Sequence, residues 1–374
     1  MKENPDSDTL DLDISDILQQ DSDTFDLDIS DSLQQDNLHT DQDKLEEIVQ
    51  AYQEAIKLNP DDADSYYGLG NAYRYQEELA EASQAYQEAV KLNPNYIDAY
   101  NNLGVTLKEQ GRFKEAIQAY QKAIELNPED ADVYNNLGNV YRNQDQLEEA
   151  VQAYMKAIEL NPDYVSAYNN LGITYRSQNQ LEEARKAYLR TIELDPDYIN
   201  AYYNLGLVYV DQGNLEEAIQ AYEKAVELNP EDTNAYDNLK MAYFNQGNES
   251  YQQGKLEEAI QAYEEAIKLN SDDVDACNNL GDVYRQQGNL DLAIKLIQRA
   301  IELNPSNAEA YLNLGHVYIG QEKLEEAIQA YCQVFLIRAS DDEGFKIRQS
   351  AAEALKKLGT PESMEALKDY EVTQ

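Results

Sequence analysis

The sequence predicts an all-α fold, a solenoid of stacked helix hairpins rather than one globular core. Three observations predict it. Pro60, Pro94, Pro128, Pro162, Pro196 and Pro230 stand 34 residues apart, Ser271 follows after 41, and Pro305 after a further 34. Each of these positions closes a near-copy of one segment, as in the Ala-Ile-Glu-Leu-Asn-Pro of residues 123–128. Within each period the apolar residues fall twice into helical spacing, and no strands are evident. A fixed period of this length means copies of one supersecondary unit, each burying its apolar face against its neighbours.

The unit can be justified element by element from the copy that begins at Ala131, taken as position 1. Tyr134, Leu137, Gly138 and Tyr141 fall at i, i+3, i+4 and i+7 and define one helix face. A polar break, Asn143-Gln144-Asp145-Gln146, follows. Leu147, Ala150, Tyr154 and Ala157 make a second face. Pro162 cannot continue that helix and disfavours the helical conformation at the residue before it. Two short helices joined by a tight turn form an antiparallel hairpin. Gly138 and Ala150 are small where the two helices approach most closely.

Leu at position 7, Gly at 8, Tyr at 11, Ala at 20, Tyr at 24, Ala at 27 and Pro at 32 resemble the tetratricopeptide repeat. Position 8 is Gly70, Gly104, Gly138, Gly172, Gly206, Gly281 and Gly315, and position 24 is Tyr86, Tyr120, Tyr154, Tyr188, Tyr222, Tyr263, Ile297 and Tyr331. The resemblance covers eight full repeats over residues 63–341, preceded by a half-repeat, residues 44–62, that reads as a second helix without its first. It implies a right-handed superhelix whose first helices line a concave groove. The sixth repeat departs from the pattern, with Lys240 at position 8 and seven extra residues before Leu256. Seven residues are almost two turns at about 3.6 residues per turn, so the apolar face is roughly kept. Either the first helix is lengthened by two turns, or the repeat is broken and restarted at Asn245-Gln246-Gly247-Asn248. The irregularity is expected to divide the array into a five-repeat arm and a shorter C-terminal arm.

Both ends differ from the array. Residues 1–43 hold fourteen acids and one lysine, Lys2, and residues 6–20 recur as residues 21–35 with only Leu10/Phe25 and Ile17/Ser32 changed. High charge with few large apolar residues predicts a disordered acidic tail; the sharper reading is a tandem linear motif that gains avidity on a repeated partner. Residues 342–374 read as two more helices, with Gly359 at a helix C-terminus, Thr360 as N-cap and Pro361 at the first helical position. They resemble one HEAT-type repeat, which implies a cap on the exposed end of the stack. The half-repeat is expected to expose Ile48, Tyr52 and Ala55, a surface for self-association.

Composition narrows the function. The chain of 374 residues carries 29 Lys and Arg against 72 Asp and Glu, a net charge of −43. That balance argues against nucleic acid or an anionic membrane as partner. Two cysteines, Cys277 and Cys332, give no disulfide framework, and no apolar run reaches membrane-spanning length, so a cytoplasmic protein is expected. No CxxC, HExxH or glycine-rich phosphate loop is present, so neither metal nor cofactor is expected. His39 lies in the acidic tail, and His316 reads as a groove residue, not a catalytic base.

The candidate peptide-binding residues lie on the first helices. Positions 2, 5, 6, 9, 12 and 13 fall opposite the face that packs on the second helix. Position 6 is Asn102, Asn136, Asn170, Asn204, Asn238, Asn279 and Asn313, with Gly68 in the first repeat. An Asn amide matches a peptide backbone amide, so this row could hold an extended peptide; it could equally be a copied consensus. The row resembles that of the tetratricopeptide region of O-linked N-acetylglucosamine transferases. Position 12 adds Arg74, Lys108, Arg142, Arg176 and Arg285. These cations either attract an acidic ligand or pair with acids of adjacent repeats. The expected function is a non-catalytic scaffold that binds a protein or peptide in the groove. The alternatives are a regulatory or substrate-presenting subunit of a glycosyltransferase, or an assembly factor for a larger complex such as a photosynthetic membrane complex.

Overall fold

The computed structural model describes residues 38–337 and 342–372, and every regular element there is an α-helix. The tandem acidic motif lies outside the described residues. The chain divides into two compact units, one ending at Asn179 and the other beginning at Gln180. That division falls within the fourth repeat, not at the seven-residue insertion.

The first unit holds α1 (Leu38–Leu58), three hairpins and a last helix. The hairpins are α2 (Ala63–Tyr75) with α3 (Leu79–Leu92), α4 (Ile97–Glu109) with α5 (Phe113–Leu126), and α6 (Ala131–Asn143) with α7 (Leu147–Leu160); α8 (Val165–Ser177) follows. The second unit opens with α9 (Leu181–Leu194). Its hairpins are α10 (Ile199–Gln212) with α11 (Leu215–Leu228), α12 (Thr233–Gln252) with α13 (Leu256–Leu269), α14 (Val274–Gln286) with α15 (Leu290–Leu303), and α16 (Ala308–Gly320) with α17 (Leu324–Leu336). A final pair, α18 (Asp342–Leu358) and α19 (Pro361–Val372), completes it.

One contact recurs inside the hairpins. A Cβ on Gly138 would lie 2.6 Å from the Tyr154 ring, and the same holds for Gly70 with Tyr86 and Gly104 with Tyr120. These tyrosines are fully buried, as are the position-20 alanines Ala82, Ala116, Ala150, Ala218, Ala259 and Ala327. The ring lies flat on helix backbone that only glycine leaves bare. The turn between the helices imposes a second backbone requirement. Its position 15 is left-handed throughout, at φ values of 72° to 82° for Gly111, Gly213, Gly254 and Gly288, and 58° to 61° for Glu77, Asp145, Asn179 and Glu322. Left-handed backbone costs an L-residue about 1–2 kcal/mol, so those four repeats carry local strain that the packed hairpin overrides.

First helices start in two ways. Asp62, Asp130, Asp232, Asp273 and Asn307 accept backbone N–H bonds as N-caps. Tyr96 and Tyr164 occupy that place without a cap bond. The Tyr164 hydroxyl donates back to Asp132 of the preceding repeat, and Tyr96 stacks on Tyr67 with ring centroids 4.9 Å apart. A lost cap thus becomes a tie between repeats.

The insertion is resolved by α12, an unbroken helix of 20 residues where other first helices have 13 or 14. Gly247, not Lys240, stands under the Tyr263 ring, where its Cβ would meet the ring at 2.6 Å. Both readings of the sequence are therefore combined: the helix is lengthened by two turns, and the repeat register restarts at Gly247. Leu239 and Ala242 pack with Ala218 and Tyr222 of the preceding hairpin, whereas Phe244 and Tyr251 pack with Ala259 and Tyr263.

At the N-terminal end α1 begins at Leu38, earlier than residue 44. Its Ile48 and Tyr52 are not the exposed face expected. They join Val49, Leu69, Ala72 and Ala85 in one cluster, and the Tyr52 ring lies against Gly68 of α2. Gly68 breaks the Asn row because Tyr52 needs its space. At the other end Gly359 has φ 64°, Thr360 caps Ser363, and Arg348 donates to the Phe335 and Ile337 carbonyls at the end of α17.

Candidate functional site

Each first helix presents the same repeat positions. Position 5 is exposed in the sixth repeat, at Asp237, but is turned inward in others. Asn135 and Asn278 are buried and act as acceptors between neighbouring first helices, which corrects the expectation for that position. Asn136 donates to Asn101 Oδ1 at 3.2 Å, Asn170 to Asn135 Oδ1 at 3.1 Å, and Asn313 to Asn278 Oδ1 at 3.1 Å. Asn102 donates to the Tyr67 hydroxyl and to Asn71 Oδ1, both at 3.1 Å. Asn238 donates to the Tyr203 hydroxyl at 3.3 Å and Asn279 to Asn248 Oδ1 at 3.1 Å. Asn204, on α10, is half-buried.

The Asn row is therefore a staple between repeats. Six of the seven amides spend at least one N–H on a side chain of the preceding repeat, and Asn169 Oδ1, the corresponding acceptor for Asn204, has no hydrogen-bond partner. Asn136 and Asn313 keep a second N–H and their amide oxygen uncommitted among the described residues.

Sequence reasoning missed the role of position 9. Where it is Asn, it accepts the hydroxyl of the buried position-24 tyrosine. Tyr86 donates to Asn71 at 2.6 Å, Tyr154 to Asn139 at 2.8 Å, and Tyr263 to Asn248 at 2.6 Å. The signal was present, because Asn71 and Asn139 stand 15 residues before their tyrosines. Burial pushes the Tyr154 hydroxyl up to about 12. Position 9 of the second repeat is Val105, and the buried Tyr120 hydroxyl has no hydrogen-bond partner there. A buried hydroxyl without a partner gives nothing back for its desolvation. Tyr120→Phe is thus expected to change stability by less than about 0.5 kcal/mol or to raise it, while Tyr154→Phe costs about 1 kcal/mol. Urea melts of the two variants followed by circular dichroism check the contrast; equal losses would contradict it.

The position-12 cations divide by unit. In the first unit Arg74 is exposed and Lys108, Arg142 and Arg176 are half-buried, on successive first helices. Arg74, Lys108 and Arg142 make no ion pair with any described residue. Arg142 reaches Asn170 Oδ1 of the next first helix at 3.4 Å, linking cation stripe and Asn row. Other cations are paired locally, as in Arg112–Glu115 at 2.5 Å, Lys122–Glu125 at 2.5 Å and Lys156–Glu159 at 2.9 Å, whereas Lys114 makes no ion pair with a described residue.

In the second unit Arg285 is one of these paired cations, 2.7 Å from Asp282, which also accepts from the Tyr251 hydroxyl. Beside it His316 packs edge-on to Tyr331 at 5.7 Å. Burial holds its imidazole below the usual value, with Arg285 acting the same way and Asp282 opposing. No group of His, Cys, Asp and Glu that could hold a metal occurs among the described residues, and no described helix is long and apolar enough to cross a membrane.

Comparison with known proteins agrees with this geometry. Tetratricopeptide-repeat family models match residues 37–73, 70–111, 262–295, 281–322 and 308–341. A model of the cilia and flagella-associated protein 70 C-terminal domain matches residues 96–271. No curated protein matches the chain. Among solved structures, MamA is 32% identical over 44% of this chain and 91% of its own, with a TM-score of 0.42. YrrB, described as a TPR protein with an unusual peptide-binding site, is 28% identical over 50% of this chain and 96% of its own, with a TM-score of 0.43. The C-terminal part of a TPR repeat-containing protein from Cytophaga hutchinsonii is 17% identical, covers 70% of this chain and 99% of its own, and has a TM-score of 0.56, a likeness of fold. With the glycine–tyrosine contact recurring at the repeat spacing, this chain carries tetratricopeptide repeats.

Proposed function

We propose that the protein is a non-catalytic interaction scaffold whose first unit binds an extended, acidic protein segment across α2, α4, α6 and α8. One observation carries this reading. In a chain with 72 acids and 29 bases, Arg74, Lys108 and Arg142 hold the same position on successive first helices and no described carboxylate pairs with them. Leaving cations unpaired among so many acids is what a surface built to receive acids requires. The net charge of −43 opposes approach of such a ligand. Exposed charges are screened beyond about 8 Å at physiological salt, so the stripe governs once contact is made. The uncommitted N–H groups of the Asn row, beside the stripe, supply donors to a peptide backbone. The α18–α19 pair serves as the end cap of the second unit.

Selection from a displayed library of random peptides tests this. Peptides enriched by the intact chain should be acidic, and their recovery should fall at least about tenfold on Arg74→Ala/Lys108→Ala/Arg142→Ala. Enrichment of neutral or basic peptides, or recovery unaffected by the triple substitution, would overturn the reading.

A further inference from the structure

We infer that the chain's own acidic segment, residues 6–35, occupies the first-helix face of the first unit when no partner is bound. The inference rests on reading that face as the binding site, and it names the first competitor for it.

Three observations carry it. The first is charge complementarity. Residues 6–35 contain ten Asp and no Lys or Arg, as two near-identical blocks of fifteen. The stripe they would meet is the row of Arg74, Lys108 and Arg142, which no described carboxylate pairs. The second is attachment. Residue 35 lies three positions before Leu38, where α1 begins, and α1 packs directly on α2, the helix that carries Arg74. The chain preceding α1 therefore joins the helix that neighbours one end of the stripe. Thirty residues at about 3.3 Å each span on the order of 100 Å when extended, so reach does not limit contact with α4, α6 or α8. A covalent tether of this kind gives an effective concentration on the order of millimolar, which a second copy of the chain reaches only at comparable protein concentration. The third is duplication. Two copies of one acidic block double the ways of filling one stripe, and a block displaced by a partner leaves the other available.

The segment would act as a built-in competitor. A partner must displace carboxylates already on Arg74, Lys108 and Arg142, so only a more acidic segment, or one that also uses the Asn row, gains the face. The contact is ionic and exposed, so it weakens with salt.

Carbodiimide coupling of the intact chain tests the contact directly, because it joins a carboxylate to an amine only where the two touch. Lys108 is the one amine of the stripe. Cross-linked fragments joining Lys108 to an Asp of residues 6–35 are expected within single chains. They should be independent of dilution, absent from Lys108→Arg and suppressed in 1 M salt. Links found only between chains and growing with concentration would overturn the inference in favour of a second copy.

A binding measurement separates failure of the inference from failure of the site. The probe is a fluorescent peptide of residues 6–20, titrated against the intact chain and against a full-length variant with all ten Asp of residues 6–35 changed to Asn. At least tenfold tighter binding by the neutralised variant is expected. Equal affinities that are still lost with Arg74→Ala/Lys108→Ala/Arg142→Ala would overturn self-occupancy and leave the binding face standing. Affinities insensitive to that triple substitution would overturn both.

Discussion

Tyr154→Ala lowers the stability of the first unit by about 3–5 kcal/mol, the range for removing a fully buried aromatic ring. The ring is 0% exposed and lies over Gly138, so its loss leaves a cavity between α6 and α7 and strips Asn139 of its donor. Gly138→Leu attacks the same contact from the other side. A Cβ there already falls 2.6 Å from the ring, and three further carbons have no room, so a cost of about 3 kcal/mol or more is expected. The pair should not be additive. In Gly138→Leu/Tyr154→Ala the new side chain fills part of the space the ring vacates, and the double variant should be at least about 1 kcal/mol more stable than the sum of the singles implies. Urea denaturation followed by circular dichroism measures all three. Strict additivity would mean that the two positions do not share one packing site. Because hairpins stabilise only their neighbours, the melt should also broaden or split as the damaged hairpin uncouples from the rest.

The fold was legible because repetition multiplies a weak local signal. One copy of Leu137-Gly138 with Tyr154 says little, and eight repeats in register, six of them with the complete set, identify the hairpin. What was not legible depended on which side chain meets which across repeats. The Asn row reads on paper as an open ladder, yet Asn136 and Asn170 are spent partly on Asn101 and Asn135, 35 residues earlier in the chain. The position-12 cations look alike in sequence, yet Arg285 is paired because the seventh repeat has Asp282 three residues before it, whereas Arg74, Lys108 and Arg142 have Asn71, Val105 and Asn139 there. That difference could have been read from the sequence as an i, i+3 acid. The turn glycines Gly111, Gly213, Gly254 and Gly288 were also visible, and they mark the left-handed position that Glu77, Asp145, Asn179 and Glu322 fill under strain. The split at Asn179 has no composition signal; seven extra residues at the sixth repeat looked like the break, but an inserted pair of helical turns keeps its faces aligned and Gly247 restores the packing.

Charge reversal of the stripe, Arg74→Glu/Lys108→Glu/Arg142→Glu, is expected to weaken binding of an acidic peptide by at least about a hundredfold. Each exposed ion pair contributes up to about 1 kcal/mol, and reversal replaces that attraction with repulsion, so three sites together account for roughly 3 kcal/mol or more, at 1.4 kcal/mol per tenfold. The informative comparison is a second triple, Arg112→Glu/Lys122→Glu/Lys156→Glu. It alters the net charge of −43 by the same amount, but at cations already paired with Glu115, Glu125 and Glu159. If the ligand felt only the total field of the chain, both triples would weaken it alike, and both effects would vanish once salt screens charges beyond about 8 Å. If it is held on the first-helix face, the stripe triple alone removes binding at physiological salt, and the control triple changes mainly the rate of approach, since distant charges steer encounter more than they hold the complex. The folded state should tolerate the stripe triple, because surface changes away from packed contacts usually stay within about 0.5 kcal/mol each. Lost binding with an unchanged melt therefore localises the effect to the face. Equal losses from the two triples would mean that the unpaired cations carry no special function, and that the only thing an acidic ligand recognises in this chain is its overall charge.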